Sequence, residues 1–171
     1  MHSPDRIDQR RAQWAQELPR VNTVGMAILG RARLITLAAR PAIDAVFAAV
    51  GMDAGEFDVV GTLLRNGPPY RLRPTELYRS LMISSGGLTD RLARLEKAGL
   101  IQRSESDGDG RSLLVELTAE GRRRAEAAFR ADMKVEATLV SVLNSTEIAD
   151  LERLLRKLLL SMEDESPTPV P

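Results

Sequence analysis

This sequence predicts a mainly α-helical fold with a small β wing, and three observations carry the prediction. Between Leu72 and Gly99 two short amphipathic helices flank a tight turn. Leu77 and Leu81 fall four apart in the first, and Leu88, Leu92 and Leu95 repeat at i, i+4 and i+7 in the second. After Gly99 the period drops to two. Leu100, Ile101 and Arg103 run as a strand and Leu113, Val115 and Leu117 as its partner, across a polar tip with Gly108 and Gly110. Finally, the sequence at both ends reads as helical, and the last helix is apolar over more of its circumference than one neighbouring helix would cover. Together these describe a winged helix-turn-helix with N- and C-terminal dimerisation helices.

In order, Ser3-Pro4-Asp5 starts a helix that runs to about Leu18 before Pro19, with Ile7, Trp14 and Leu18 on one side. Trp14, the sole tryptophan, is read either as an anchor holding that helix to the body or as a ligand contact. A second helix begins at Asn22 or Thr23, with Pro41 expected to kink or restart it before Gly51. Asp53-Ala54-Gly55-Glu56 is a capping box opening a helix with Phe57, Val60 and Leu64 on one face and Asn66-Gly67 at its end. Tyr70 to Leu72 is expected as a third wing strand. In the next helix Pro74 takes the first position and Glu76 the acidic first turn. Ser84 or Ser85 offers an N-cap for the second of the pair, and Gly99 stops it. Thr118 caps a long helix to about Leu143. Ser145 is expected to cap a last one bearing Ile148, Leu151, Leu155, Leu158 and Met162, widened by Leu154, Leu159 and Leu160.

These elements divide the chain into N-terminal helices (1–52), a winged helix-turn-helix (53–118), C-terminal helices (119–162) and an acidic, proline-rich tail (163–171) expected to be disordered, all in one intertwined domain. At 171 residues, 43% hydrophobic and only 4% aromatic, the core must be aliphatic. Absence of cysteine excludes disulfides and thiol ligands. No apolar run is long enough for a membrane and no secretory signal is evident, so a cytoplasmic location is expected. Net charge is zero and the pI near 6.6, which argues against loose coating of nucleic acid and is compatible with a local basic patch.

Little qualifies as catalytic machinery. The single histidine is His2, the Ser84-Ser85-Gly86-Gly87 turn lacks a nucleotide-loop or hydrolase pattern, and no carboxylates have the spacing of a metal cage. No cofactor is expected. On a wheel of roughly 100° per residue, Gly86, Asp90, Arg94 and Lys97 lie opposite the leucines of the second helix, a strip that suits a DNA groove. Arg91 flanks the leucine face.

The run PTEL…ISSGGLTDRLARLEKAGLI…SDGDGRSLLVELTAEG resembles MarR-type transcriptional regulators. Asp109-Gly110-Arg111, the strand from Leu113 to Leu117 and Thr118-x-x-Gly121 are similar to that family's wing signature, and Arg73 departs from the Ser or Thr that many members carry before the proline. The resemblance implies a homodimeric DNA-binding regulator, a repressor, with double-stranded operator DNA as partner. Thr75, Ser84, Ser85, Gly86, Thr89, Asp90 and Arg94 would approach the major groove. Arg111 would grip the minor groove or its phosphates, with Asp109 orienting a nearby arginine.

Trp14, Asp58, Arg91 and Arg103 further resemble the set used by the urate-responsive branch of the family, with a shorter linker after Trp14 in this chain. That resemblance implies a small-molecule effector, a urate-like or other aromatic anion. The bland reading of the same residues is a structural ion pair and a core tryptophan. A winged helix that binds protein rather than DNA is the alternative function, against which Arg94 and Arg111 argue.

Overall fold

Carboxylate capping boxes set where the first and third helices begin. In the computed structural model, which describes residues 3–81, 87–105 and 113–164, Asp5 caps α1 (Arg6–Glu17) and Asp53 caps α3 (Ala54–Arg65). Each side chain accepts from the third helical N–H, while Asp8 and Glu56 accept from the cap's own N–H. Between them α2 (Val24–Ala48) runs unbroken through Pro41. The expected restart at that proline does not occur.

The chain divides into two compact units, Met1–Asp132 and Met133–Pro171. In the first, β1 (Arg71–Leu72), α4 (Pro74–Ser80), α5 (Leu88–Lys97), β2 (Ile101–Glu105) and β3 (Leu113–Leu117) follow α3, and then α6 (Ala119–Leu139) begins. The strands form an antiparallel sheet in the order β1-β3-β2, with Leu72 opposite Val115 and Ile101 opposite Leu117. Its inner side and the leucines of α4 and α5 bury Val59, Val60, Leu63, Leu77, Leu92, Leu95, Leu100 and Val115 in one core. Each such side chain contributes about 1.5–3 kcal/mol by leaving water. Phe47 of α2 stacks on Phe57 of α3 with centroids 4.2 Å apart, which fastens the long helix to this core. Ala125 and Ala128 of α6 complete it. One turn beyond, Asp132 is buried with its Oδ1 unbonded, and burial pushes its carboxyl above the usual range.

The helix stops and starts around α5 are settled by glycine. Gly99 takes a left-handed φ of 69°, and the N–H groups of Gly99 and Leu100 donate to Glu96 and Leu95, closing the C-terminus as a Schellman turn. At the other end the N-cap is Gly87, with φ 76°, and not Ser84 or Ser85. Those serines and the wing tip, including Gly86, Asp109 and Arg111, lie outside the described residues. The N-terminal anchor is likewise not Trp14, which is 50% exposed; Ile7, on the same helix, is the side chain that α1 buries.

In the second unit α7 (Ser145–Asp164) is capped by Asn144 rather than Ser145. Asn144 Oδ1 accepts from Thr146 and Glu147, and Glu147 accepts from the N–H of Asn144, so the cap sits one residue earlier than expected. The long helix before it ends at Leu139, short of Leu143, in a turn over 140–143. Among the described residues no helix is long and apolar enough to cross a membrane.

Candidate nucleic-acid interface

The outward face of α5 follows from its inward one. With Leu88, Leu92 and Leu95 turned to the core, Asp90, Ala93 and Lys97 occupy the opposite side and Thr89 its edge, all exposed. Thr75, in the first turn of α4, is exposed too. Ala93 was not anticipated as part of this face. Its signal was available in the helical period, but a residue without polar atoms attracts no attention in a search for donors.

Arg94 lies within the face, roughly 50° from the direction opposite the leucines, and its guanidinium is already engaged. Nε donates to Glu56 Oε1 at 2.6 Å and Nη2 to Asp53 Oδ2 at 3.1 Å. Hydrogen bonding to Glu56, with the charge of Asp53 added, raises its pKa further. The same two carboxylates form the capping box of α3 with their other oxygens. Arg91, one turn back, lies over the first turn of α3, where a Cβ on Gly55 would stand 2.5 Å from its Nε. At the far end of α3 the Arg65 guanidinium donates to the carbonyl of Ser80, the last residue of α4. One helix thus seats both members of the helix-turn-helix.

A cavity of about 830 Å³ opens beside this seat, lined by Arg40 and Asp44 of α2, Asp53 and Gly55 at the start of α3, and Asp90, Arg91 and Arg94 of α5. Of the four residues expected to hold an effector, only Arg91 lines it. Asp58 is buried on α3, Arg103 pairs with Glu96 at 3.1 Å, and Trp14 lines a separate, smaller hollow with Leu18, Val21 and Met26. Within one chain, therefore, the tryptophan and Arg91 border different spaces. Arg40 and Asp44 escaped the sequence reading because their placement depends on how α2 crosses α3. Among the described residues no cluster of His, Cys, Asp or Glu suits a metal ion.

The wing is tied to α6 by Thr118. Its Oγ1 accepts from Gly121 N–H at 2.9 Å and donates to the carbonyl of Gly99 at 2.7 Å. The end of the recognition helix, the base of the hairpin and the start of α6 thereby share one polar joint.

The MarR family model matches residues 50–112, the seat, the helix pair and most of the wing. The chain is 34% identical over 143 residues to the HTH-type transcriptional regulator PecS of Dickeya dadantii, covering 84% of this chain and 86% of that protein. Among solved structures, a mutant of MarR from E. coli complexed with operator DNA is similar over 85% of this chain and 97% of its own, at 25% identity and a TM-score of 0.66. AbsC, a MarR family regulator from Streptomyces coelicolor, shares the fold with a TM-score of 0.71 at 18% identity over 85% of this chain and 99% of that one. With its helix pair, three-stranded wing sheet and relatives over most of its length, the chain belongs to the MarR family of winged-helix transcriptional regulators.

Proposed function

We propose that this chain is a repressor that binds a pseudo-palindromic DNA site as a homodimer and leaves it when a small aromatic or carboxylate anion binds. The observation that carries the DNA reading is the exposed face of α5, which leads directly into the wing strand β2; it is supported by the likeness to a solved relative complexed with operator DNA. Thr75, Thr89 and Asp90, with Ser84, Ser85 and Gly86 before them, would meet the major groove. Arg111, with Asp109 beside it in sequence, would grip the minor groove or its phosphates. The dimer is supported by apolar residues left in water by the single chain. Ile148, Leu151, Leu154, Leu155, Leu159 and Leu160 of α7 are all exposed, as are Leu18, Val21, Val24 and Ile28 near the N-terminus. A cytoplasmic location follows from the partner.

The effector reading is supported by the cavity below α5, where Arg40 and Arg91 stand on the lining within reach of a planar anion. An anion there acts only if it binds the DNA-free arrangement better than the DNA-bound one. Urate, xanthine and salicylate titrated into a complex with a duplex selected from a random pool, with Trp14 fluorescence followed in parallel, test it. At least one should release the duplex below roughly millimolar concentration, and Arg91→Ala should abolish that response. Release by none of them, or a response that survives Arg91→Ala, removes the site.

A further inference from the structure

We propose that Arg94 is a positioning residue rather than a base- or phosphate-reading one, and that the first turn of α3, through Asp53, Gly55 and Glu56, sets the angle at which α5 is presented to DNA. The inference rests on the DNA-binding reading and deepens it.

Three observations carry it. Arg94 leans to the flank of α5 and is gripped from two sides, by Glu56 at 2.6 Å and Asp53 at 3.1 Å. Of its two partners, Asp53 is exposed and Glu56 is not. Glu56 is only 12% exposed, and both carboxylates are immobilised by the capping bonds their other oxygens make. A fork held by two pre-organised acids keeps its geometry where a lysine would not. The third observation is charge. One guanidinium and two carboxylates sum to −1, so the charge of Arg94 is already matched by its own partners, and Arg94 releases no counterion of its own.

Gly55 completes the seat. With a Cβ 2.5 Å from Arg91 Nε and 2.8 Å from its Cζ, any larger residue there would displace the Arg91 guanidinium from the first turn of α3. Arg91 and Arg94 are three apart on one helix, so α3 holds α5 at two points a turn apart. Two points on one side define a tilt as well as a distance.

The two roles predict opposite signs for the same variant. If Arg94 were a DNA contact restrained by acids, neutralising them would free it and tighten binding. As a positioning residue it loses its seat, and binding weakens. Glu56→Gln retains an oxygen to cap Asp53 while removing the charge, so α3 keeps its start; Asp53→Asn does the same at the cap. The full-length protein and its variants are assayed on the best duplex that the unaltered protein selects from a random pool, across a series of salt concentrations, with helix content and thermal melting recorded for each.

The unaltered protein is measured first: no salt-sensitive binding there overturns the DNA reading itself, separately from this proposal. The expected result is that Glu56→Gln, Asp53→Asn, Arg94→Ala and Arg94→Lys each weaken binding by roughly tenfold, and that Glu56→Gln adds little to Arg94→Ala, because both break one coupled contact. The slope of affinity against salt should stay unchanged, and preference should relax across the half-site rather than at one base. Tighter binding by Glu56→Gln, full retention by Arg94→Lys, a shallower salt slope in Arg94→Ala, or loss of preference at a single base position would each overturn the proposal. Because Arg94→Lys keeps charge and helix propensity, a failure of Arg94→Ala to fold does not shelter the idea.

Discussion

Gly121 has no room for a side chain. A Cβ built there would stand 1.8 Å from the carbonyl oxygen of Leu100, and that carbonyl is backbone, already accepting from Thr118 N–H at 3.1 Å. The Thr118-x-x-Gly121 pattern therefore has a physical cause: the threonine caps α6 with its hydroxyl, and the glycine lets the helix start against the end of the α5–β2 turn. Gly121→Ala should lower stability by about 1–3 kcal/mol, as overpacking does, seen as a lower urea midpoint with an unchanged slope. A midpoint equal to that of the native chain would mean the approach is looser than described. The pattern itself was legible in the sequence. Its reason was not, because close approach of two backbones separated by twenty residues leaves no mark in periodicity. Arg94 makes the complementary point. Its position on α5 was readable from the wheel, but the direction it leans depends on Asp53 and Glu56, some forty residues earlier.

Among elements, those with strong local codes were the most legible. The Asp53 capping box, the helix start at Asp5, the glycine stop at Gly99 and the period-two wing strands stand where the side chains direct them. The third wing strand, from two residues near Tyr70, stands as expected, with Arg122 of α6 over the Tyr70 ring at 4.8 Å. Misreadings came where two local codes compete. Asn144 and Ser145 both cap helices, and Asn144 prevails because Glu147 stands three residues on to reciprocate. At Pro41, where a kink or restart was expected, α2 does not restart, and Phe47 beyond it is fixed in the core.

The attachment of α1 depends on charge. Arg31 of α2 reaches back to Asp5 at 2.7 Å and Asp8 at 2.6 Å, and its hydrogen bond holds the Asp5 carboxyl down at about 2. A depressed acid stabilises the folded arrangement above its ordinary value of 3.8 and loses that contribution as pH falls toward 2. Trp14, riding on α1, reports it. Its fluorescence anisotropy should hold steady through neutral and mildly acidic pH and drop between those two values, whereas Arg31→Ala should show the mobile signal already at neutral pH. An Arg31→Ala profile that overlays the native one would show that Ile7 alone pins the helix.

At the scale of the molecule, the apolar surface is larger than a single chain can cover. A helix such as α7, exposing Leu151, Leu154, Leu155, Leu159 and Leu160 together, expects another protein surface. A two-fold homodimer would give two α5 helices facing one side of a duplex, which turns an argument about burial into one about DNA. The width of the apolar stripe on α7 was legible from spacing alone, since seven leucines and isoleucines in sixteen residues exceed one face. Which chain fills it was not, because covering by the same molecule and by a copy leave the same pattern. The most direct measurement is selection of DNA from a random pool by the full-length protein, followed by sizing of the complex. The account predicts an enriched pseudo-palindrome with half-sites about 10 bp apart, bound by two chains, with affinity falling steeply with salt. A single asymmetric half-site bound by one chain, or no enrichment at all, would contradict it.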